Sequence, residues 1–386
     1  MSLSTRDSMN MAGASHACPI PVFLMSDSFE TGGTERQFVT LINALDRDQF
    51  KVHIGCLQKR GAFLGNLKDV VELRLGGNLY GIRSMHARLQ LARYLRQCGA
   101  IVAHAFDFYS NLVLIPAARL ARIPVVIGSQ RQLGDLLSQA KSRAQAAAFH
   151  WADVVVCNSL AARHALVEQG LSREHIEVIG NGLPSSLFEI TAPALPRDPS
   201  RLRIGMIARM NTRAKNHDVF LRAAASVCTR VSKVEIVLVG DGALRPRLEK
   251  LASDLGIRDR VLFLGERRDI PAVLASLDVS ASPSVSESLS NVILESMAAG
   301  VSVIASRVGG NCEVISEDRG VLVNPGDEKA LAQELERLLR DSSLRDRYAR
   351  KAKAFAKENF SVEHMRARYE DLYLRLMHRK KHLRRS

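Results

Sequence analysis

The chain has 386 residues, of which 46% are hydrophobic and 24% are charged, a composition that is ordinary for a globular protein of two domains. No run approaches the roughly 18 consecutive apolar residues of a membrane span, and the six cysteines are scattered without a C-x-x-C pair, which argues against structural zinc and a disulfide scaffold. The net charge of +14 favours an anionic partner, whereas the 5% of aromatic residues, with no interleaved basic stripe, argue against nucleic acid.

The first half of the chain has the pattern of strands separated by helices. Residues 1–19 lack the long apolar core of a secretory signal, so we expect a disordered leader there. Two of the later apolar runs contain Cys56 and Cys157, which we expect to be reduced, as in the cytoplasm. The runs predicted as strands are 21–25, 51–57, 100–105, 123–129, 153–159 and 176–183.

A proline-rich stretch divides the chain. Residues 191–201, TAPALPRDPSR, are the best linker candidate. Two alternating runs joined by a linker predict two Rossmann-like α/β domains, 20–190 and 202–360, with ligands bound beyond the carboxyl ends of the strands. A helix over 361–378 and a basic tail over 379–386 complete the expected organisation. The strands predicted after the linker are 203–209, 235–242, 261–265, 277–284, 302–306 and 320–325.

Three common catalytic motifs are absent from the turns where they would stand. The first turn reads TGGTER and the turn after residues 235–239 reads GDGALR, so neither fits G-x-G-x-x-G. The chain also lacks G-x-x-x-x-G-K-[ST] and G-x-S-x-G. A nicotinamide enzyme, a P-loop hydrolase and a common serine hydrolase are therefore disfavoured.

The loop after the run 203–209 carries two cations. Arg209 ends the predicted strand and Lys215 lies before the next helix. The planar donor fork of an arginine and the compact charge of a lysine together suit a diphosphate. A solvated loop in a basic protein has the same composition, so this segment alone leaves both interpretations open.

Residues 286–300, SESLSNVILESMAAG, combine a helix start with two glutamates. Ser290 or Asn291 is a natural N-cap. The free N–H groups from Leu289 through Ser290 and Asn291 to Val292 can receive the oxygens of an anionic group. This segment therefore predicts a second anion-binding element.

The two glutamates flank that helix start. Glu287 precedes the helix, and Glu295 lies about one turn inside it. Because a carboxylate repels phosphate, the pair is better suited to sugar hydroxyls. Two solvated surface glutamates are the alternative interpretation.

A glycine pair marks the first predicted turn. In TGGTERQ, residues 31–37, Gly32 and Gly33 allow the backbone to approach a ligand at a helix N-terminus. A glycine pair alone is a weak signal, since most such pairs are only turns.

Together these features resemble a known family, the retaining glycosyltransferases of family 4, which have the GT-B fold. Glu287 and Glu295 match its E-x7-E motif, Arg209 and Lys215 match its donor-diphosphate pair, and TGGTERQ is similar to its glycine-rich loop. The resemblance covers roughly residues 20–378. Further matching segments, in family order, are VVCNS, VIGNGL, IVLVGDG, FLGERRDI and VGGNCEVI.

The resemblance implies a role for each residue. Arg209 and Lys215 would neutralise the leaving diphosphate, Glu295 would hold the ribose, and Glu287 would orient the donor sugar. The helix amides at 289–292 and the glycine loop would also bind the donor. The base would pack near Arg268, against the backbone of GERRDI.

The chain departs from the family at one strand end. Many relatives carry a histidine where this chain has Ser129, Gln130 and Arg131. His104 ends another strand of the same domain and is a candidate for the acceptor cleft, although a lone histidine is more often structural. Arg131 is a candidate contact for donor or acceptor phosphate.

The resemblance implies a GT-B protein with two parallel sheets facing across a cleft and a last helix that returns to the first domain. It implies transfer from a UDP- or GDP-sugar to a saccharide or lipid-linked acceptor in cell-envelope or exopolysaccharide biosynthesis, without a metal or other cofactor. A UDP-sugar 2-epimerase and a non-catalytic sugar-nucleotide binder are the alternatives. The tail is either a contact to an anionic membrane or a disordered solubilising segment.

Overall fold

The structure, a computed structural model, describes residues 18–75 and 81–383. Residues 1–17 of the expected leader and residues 384–386 of the expected tail lie outside this described part. None of the described helices is long and apolar enough to cross a membrane.

Within the described residues, the first domain is built on seven parallel strands, β1 (Ile20–Ser26), β2 (Phe50–Cys56), β3 (Val70–Glu72), β4 (Val102–Ala105), β5 (Val125–Gln130), β6 (Val154–Cys157) and β7 (Ile176–Val178). Their order in the sheet is β3-β2-β1-β4-β5-β6-β7. Val22 of β1 is aligned with Val52 on one side and Val102 on the other. Side chains alternate between faces along a strand, so neighbouring strands present their apolar residues to the same helical layer.

Helices cover both faces of this sheet. They are α1 (Gly33–Ala44), α2 (Ile82–Gln97), α3 (Phe108–Leu120), α4 (Gln139–Phe149) and α5 (Leu160–Glu168). Buried residues of α2 to α5 form one core with Phe23 and Met25, whereas α1 packs with Val22 and Leu24 on the opposite face.

The second domain repeats this plan with six parallel strands in the described part. They are β8 (Leu202–Ile207), β9 (Val234–Val239), β10 (Val261–Phe263), β11 (Val279–Ser282), β12 (Ser302–Ser306) and β13 (Val321–Val323), in the order β10-β9-β8-β11-β12-β13. Its helices are α6 (His217–Cys228), α7 (Arg245–Asp254), α8 (Ile270–Leu274), α9 (Asn291–Ala299), α10 (Asn311–Val314), α11 (Glu328–Arg340) and α12 (Ser342–Phe360). Short 3₁₀ turns cover Leu64–Asn66, Arg173–His175, Ser185–Phe188, Arg213–Lys215 and Arg258–Arg260. The two predicted Rossmann-like domains are confirmed.

The last helix, α13 (Val362–Leu383), returns to the first domain as predicted. The chain crosses between the domains at Leu183, whose N–H donates to Phe360 and whose carbonyl accepts from Val362. Tyr369 and Tyr373 of α13 are fully buried in the core that contains α1. The final helix therefore completes the core of the first domain.

The structure differs from the sequence prediction at two elements. Strand β3 has only three residues, so it showed no apolar run long enough to be recognised. The expected basic tail is helical as far as Leu383, because α13 continues without a glycine or proline, and Lys380 forms an ion pair of 2.6 Å with Asp153.

In each sheet the strand order reverses direction once, between β1 and β4 and between β8 and β11. Loops from such a switch point diverge and leave a crevice beyond the carboxyl ends of the strands. The two crevices face each other and form one cleft of about 1100 Å³.

Candidate active site

The cleft is lined by the predicted loops of both domains. The first domain contributes residues 30–34 together with Arg36 and Gln37, and the second contributes the loops after β8, β9 and β11. The walls come from chain segments far apart in sequence, so the cleft exists only when the two domains are held together.

Lys215 and Glu287 meet in this cleft. Thr212 caps the 3₁₀ turn Arg213–Lys215 by accepting from Ala214 N–H at 3.2 Å. Asn216 then adopts a left-handed conformation, with φ of 57°, and donates its side chain to the Pro283 carbonyl at 2.9 Å. This loop carries Lys215 Nζ to Glu287 Oε1, where the two form an ion pair.

Arg209 lies at the same end of β8 and has a different environment. It is exposed on the cleft wall, and the described residues offer it no ion-pair partner. Because Arg209 has no ion pair to break among the described residues, its guanidinium can bind an anion directly.

The backbone around Glu287 is supported by the glycine pair of VGGN. A Cβ on Gly309 would lie 1.9 Å from the Glu287 carbonyl oxygen, and one on Gly310 would lie 1.8 Å from that of Ser288. Gly310 N–H donates to the Glu287 carbonyl at 3.2 Å. The loop after β12 therefore approaches this segment at a distance that only glycine allows.

Helix α9 begins at the predicted position. Ser290 is its N-cap, and its hydroxyl accepts from Ile293 N–H at 3.5 Å. Leu289, Ser290, Asn291 and Val292 all line the cleft. The first-turn amides of a helix lack intrahelical partners, so this end of α9 presents donors toward the cleft.

Glu295 lies one turn further into α9 and is only 2% exposed. Its Oε1 pairs with Arg36 of α1, whereas its Oε2 is buried without a partner. Burial raises the pKa of this carboxyl, and the Arg36 charge opposes the rise. A buried acceptor without a hydrogen-bond donor lowers the stability of the protein. Oε2 is therefore suited to accept a hydrogen bond from a ligand hydroxyl.

The glycine loop contacts the other domain directly. The Gly33 carbonyl accepts from Asn291 Nδ2 at 3.1 Å, and a Cβ on Gly33 would lie 2.6 Å from that nitrogen. A Cβ on Gly32 would instead meet the Glu35 carboxylate. Gly33 thus permits a close approach between the domains at the edge of the cleft.

Asn291 also accepts hydrogen bonds from the first domain. Its Oδ1 receives Asn181 Nδ2 at 2.6 Å and Gln37 Nε2 at 3.3 Å. Sequence reasoning assigned only its backbone and did not identify Arg36, Gln37 or Asn181. Arg36 and Gln37 fall within TGGTERQ and Asn181 within VIGNGL, but their partners in α9 lie more than 100 positions away.

Arg131 lines the cleft, and side chains of the first domain and of α13 fix its position. Its guanidinium donates to Asn181 and to the Tyr369 hydroxyl, the latter at 3.3 Å, and lies 4.8 Å from the centre of the Phe106 ring. Its position beside the cleft agrees with the predicted phosphate contact, which stays a prediction.

His104 requires a correction, because it does not reach the cleft. It is fully buried, with Nδ1 at 2.9 Å from the Tyr373 hydroxyl and Nε2 at 2.8 Å from the Ser129 hydroxyl. Burial and the nearby Arg131 charge lower its pKa to about 3. His104 is therefore a neutral core residue that fixes α13 and cannot contact an acceptor.

Arg268 lies at the rim of the cleft. It is exposed, and with Glu266 it faces Glu30 and Ala62 of the first domain across a smaller side chamber. In the part of the chain that the structure describes, no group of three or more His, Cys, Asp or Glu side chains is placed to hold a metal ion.

Fold and site together define an α/β protein of two Rossmann-like domains with a polar cleft between them, and comparison with known families gives its membership. The model for Glycosyltransferase Family 4 matches residues 31–187, and the model for Glycosyl transferases group 1 matches residues 201–341. The chain belongs to this family of glycosyltransferases.

Named relatives and solved structures agree with this assignment. The lipopolysaccharide core biosynthesis glycosyltransferase LpsE of Rhizobium meliloti is 32% identical over 59% of this chain, but the match spans only 65% of that protein. The UDP-Gal:alpha-D-GlcNAc-diphosphoundecaprenol alpha-1,3-galactosyltransferase of Escherichia coli is 26% identical over 81% of this chain and 86% of that enzyme. The crystal structure of Alr3699/HepE of Anabaena in complex with UDP and glucose superposes with a TM-score of 0.81 at 22% identity, covering 91% of this chain and 98% of that one, which confirms the GT-B fold.

Proposed function

We propose that the protein is a retaining glycosyltransferase that moves a sugar from a UDP- or GDP-sugar to a saccharide or lipid-linked acceptor in cell-envelope or exopolysaccharide biosynthesis. The observation that carries the proposal is the convergence of Arg209, Lys215, Glu287 and Glu295 on one cleft. Two cations beside two carboxylates match a donor with a diphosphate at its centre and hydroxyl groups on either side.

The proposed roles come from the family resemblance, and the positions in the cleft support them. Arg209 and Lys215 would hold the diphosphate and stabilise its growing charge as the glycosidic bond breaks, and Lys215 would leave Glu287 to do so. Glu287 would then accept from the hydroxyls of the donor sugar. Glu295 would accept a ribose hydroxyl at its free Oε2.

The stereochemical outcome is proposed from the family resemblance. In a front-face displacement, the acceptor oxygen bonds to the anomeric carbon on the side from which the diphosphate departs. The acceptor proton passes to an oxygen of the leaving phosphate, and no protein carboxylate is needed as a base. Rate enhancement then comes from positioning and charge stabilisation.

UDP is the better supported of the two nucleotides. The Anabaena neighbour was crystallised with UDP and glucose, and the name of the Escherichia coli relative specifies a UDP-galactose donor and a lipid-linked acceptor. We further propose that the reaction needs no metal ion and occurs at the cytoplasmic face of an anionic membrane. Arg379 and Lys381 are exposed at the end of α13 for such a contact.

The test is donor turnover with analysis of the anomeric configuration of the product. Lys215→Ala and Glu287→Gln are expected to lower kcat by about 100-fold or more. Lys250→Ala is the matched control, because Lys250 also pairs with a carboxylate, Asp254, on an exposed helix face. Unchanged turnover in both site variants would refute the site, and an inverted product would refute retention.

The same assay separates the alternatives. Conversion of a UDP-sugar without any acceptor would indicate a 2-epimerase, and donor binding without turnover would indicate a non-catalytic binder. Chelation with EDTA is expected to leave the rate unchanged.

A further inference from the structure

One hydroxyl group connects the last helix of the chain to the cleft. Tyr369 of α13 is fully buried in the core of the first domain, and its hydroxyl accepts a hydrogen bond of 3.3 Å from the guanidinium of Arg131. Arg131 itself lines the cleft. The helix that completes the core of the first domain is therefore also in direct contact with a side chain of the candidate active site.

The partners of Arg131 are all neutral. Its guanidinium donates to the Tyr369 hydroxyl and to the side-chain oxygen of Asn181, and it lies 4.8 Å from the centre of the Phe106 ring. Among the described residues, no carboxylate forms an ion pair with it. Because this half-buried cation is held by neutral groups alone, its charge stays available for an anion from solution.

The cations of the cleft differ in this respect. Arg36 and Lys215 are each paired with a carboxylate. Arg209, on the wall that the second domain contributes, has no such partner in the described part of the chain, and Arg131 is its counterpart on the wall of the first domain. A ligand between the two walls thus meets one uncompensated arginine from each domain, and the planar donor fork of an arginine suits a phosphate.

The backbone that carries Arg131 is fixed in place as well. It directly follows β5, where the backbone N–H and carbonyl of Ser129 bond to the side chain of Asn111 at 3.1 and 2.7 Å. The Ser129 hydroxyl bonds to His104, which in turn bonds to the hydroxyl of Tyr373. Burial, together with the Arg131 charge, lowers the pKa of His104 to about 3, so this side chain adds no second positive charge.

Asn181 connects Arg131 to the second domain. Its Oδ1 accepts from Arg131, and its Nδ2 donates to Asn291 Oδ1 at 2.6 Å and to the Leu289 carbonyl at 3.5 Å. These two residues belong to the start of α9, where first-turn amides present donors toward the cleft. The Arg131 guanidinium is therefore joined through a single side chain to the helix start that is suited to an anion.

We propose that Arg131 forms a phosphate-binding site on the first domain, and that Tyr369 is the positioning residue that aims its guanidinium at the phosphate. The inference rests on the proposed function and deepens it, because the phosphate belongs either to the nucleotide-sugar donor or to a phosphorylated acceptor. Without the Tyr369 hydroxyl, Arg131 keeps its charge but gains rotational freedom, so that more conformational entropy is lost when it binds a phosphate.

Equilibrium titrations of the full chain with UDP and with uridine test the donor as the source of the phosphate. In that case Arg131→Gln is expected to weaken UDP binding about tenfold or more, and Tyr369→Phe about threefold to tenfold. Neither variant should change the affinity for uridine, which has no phosphate. Tyr373→Phe is the matched control, because Tyr373 is also fully buried on α13 but bonds to His104 instead of Arg131.

A phosphorylated acceptor is the other source, and it is tested with the donor site filled. Inorganic phosphate is titrated into the protein at a saturating concentration of UDP. If the phosphate belongs to the acceptor, Arg131→Gln and Tyr369→Phe should weaken this phosphate binding by the same factors and leave UDP binding unchanged. A loss in either titration supports the site and identifies the source of its phosphate.

The opposite results would overturn the proposal. These are unchanged affinities in both titrations, losses for uridine as large as those for UDP, or equal losses in Tyr369→Phe and Tyr373→Phe. Melting temperatures show whether both tyrosine variants keep their fold, and Arg131→Gln tests the site independently of them. Lys215→Ala is measured in parallel. Unchanged UDP binding in that variant would refute the proposed donor site, whereas a loss there with no effect of Arg131→Gln would refute only the inference about Arg131.

Discussion

Glu287 and Glu295 are each paired with a cation in the ligand-free protein. Lys215 pairs with Glu287 and Arg36 pairs with Glu295. Two of these four side chains, those of Arg36 and Glu295, lie on helices, and the other two lie on loops. In the proposed reaction, a donor that binds Lys215 would replace Glu287 as its partner, and the sugar hydroxyls would then donate to the released carboxylate. This exchange keeps both charges solvated or paired throughout, which limits the cost of burying them.

Arg36 is expected to keep Glu295 ionised. Arg36→Ala leaves a buried carboxylate without its cation, and we expect an unfolding free energy lower by about 1–3 kcal/mol, below the range for a fully buried pair because Arg36 is 40% exposed. The donor KM should rise at least tenfold, since a protonated Glu295 is a poorer acceptor.

The control is Arg36→Lys, which retains the charge and should recover most of the donor affinity. Thermal melts of the two variants measure the change in stability, and donor titrations measure the change in KM. Equal KM values for Arg36→Ala and the wild type would contradict the role of this pair.

The raised pKa of Glu295 predicts that the stability of the folded protein depends on pH. Its pKa in the folded protein is raised above the ordinary 4.5, mainly by burial. The favourable contribution of its protonated form is present below pH 4.5 and is lost as the pH rises through the folded pKa. At neutral pH the ionised side chain therefore costs stability that a neutral glutamine would not.

We expect Glu295→Gln to raise the Tm of the ligand-free protein at neutral pH by about 1 °C for a gain of about 1 kcal/mol, and to abolish stabilisation by the donor. The difference from wild type should shrink toward pH 4. Calorimetry across this pH range provides the measurement, and a lower Tm at neutral pH would contradict the expectation.

The loop after β12 positions the segment before α9. Gly309 has φ of 44°, and a Cβ there would also come within 3.1 Å of Leu133 in the first domain. Gly309→Ala is expected to displace Glu287 and lower kcat at least tenfold, in addition to a backbone cost of about 1–2 kcal/mol.

Gly256→Ala is the matched control, because Gly256 also has a positive φ, 69°, but nothing lies within 4 Å of its Cβ position. It should show the backbone cost with normal turnover. Similar kcat losses in both variants would mean that the approach to Glu287 is unimportant.

Most elements were predictable because their signals are local. A run such as VEIVLV is apolar enough to predict β9 from composition, and SESLSN contains the cap of α9 within a few residues. The three-residue β3 and the helical basic end of α13 were not predictable, since the first depends on pairing with β2 and the second on docking against Asp153.

In the site, too, residues with local sequence signals were predictable, and contacts between distant parts of the chain were not. The side chains of Arg209, Lys215, Glu287 and Glu295 follow motifs with fixed spacing, and all four line the cleft. The pairing of Arg36 with Glu295 spans 259 positions, and no local pattern indicates it. His104 was misplaced for the same reason, because the helix that buries it comes 269 positions later.

Asn291 joins the two domains directly at the cleft. It donates to Gly33 and accepts from Asn181 and Gln37. Asn291→Ala removes these hydrogen bonds, each worth about 0.5–1.5 kcal/mol. Without donor, we expect small-angle scattering to show a larger radius of gyration. We also expect a donor KM about tenfold higher, because a larger fraction of the molecules then has separated domains that the donor must bring together.

Asn359→Ala serves as the control, since Asn359 bonds only to Phe355 within its own helix. An unchanged scattering profile for Asn291→Ala would show that other contacts keep the domains together, such as the Glu313 carboxylate at the N-terminus of α5.

The return of α13 has a consequence for biosynthesis. Tyr369, Leu372 and Tyr373 belong to the core of the first domain, yet the ribosome makes them after the entire second domain. The second domain is continuous in sequence and can therefore fold first, while β1 and α1 wait with an exposed apolar groove. This reverses the usual order in which nascent domains fold, and the core of the first domain stays incomplete until synthesis has passed Met377.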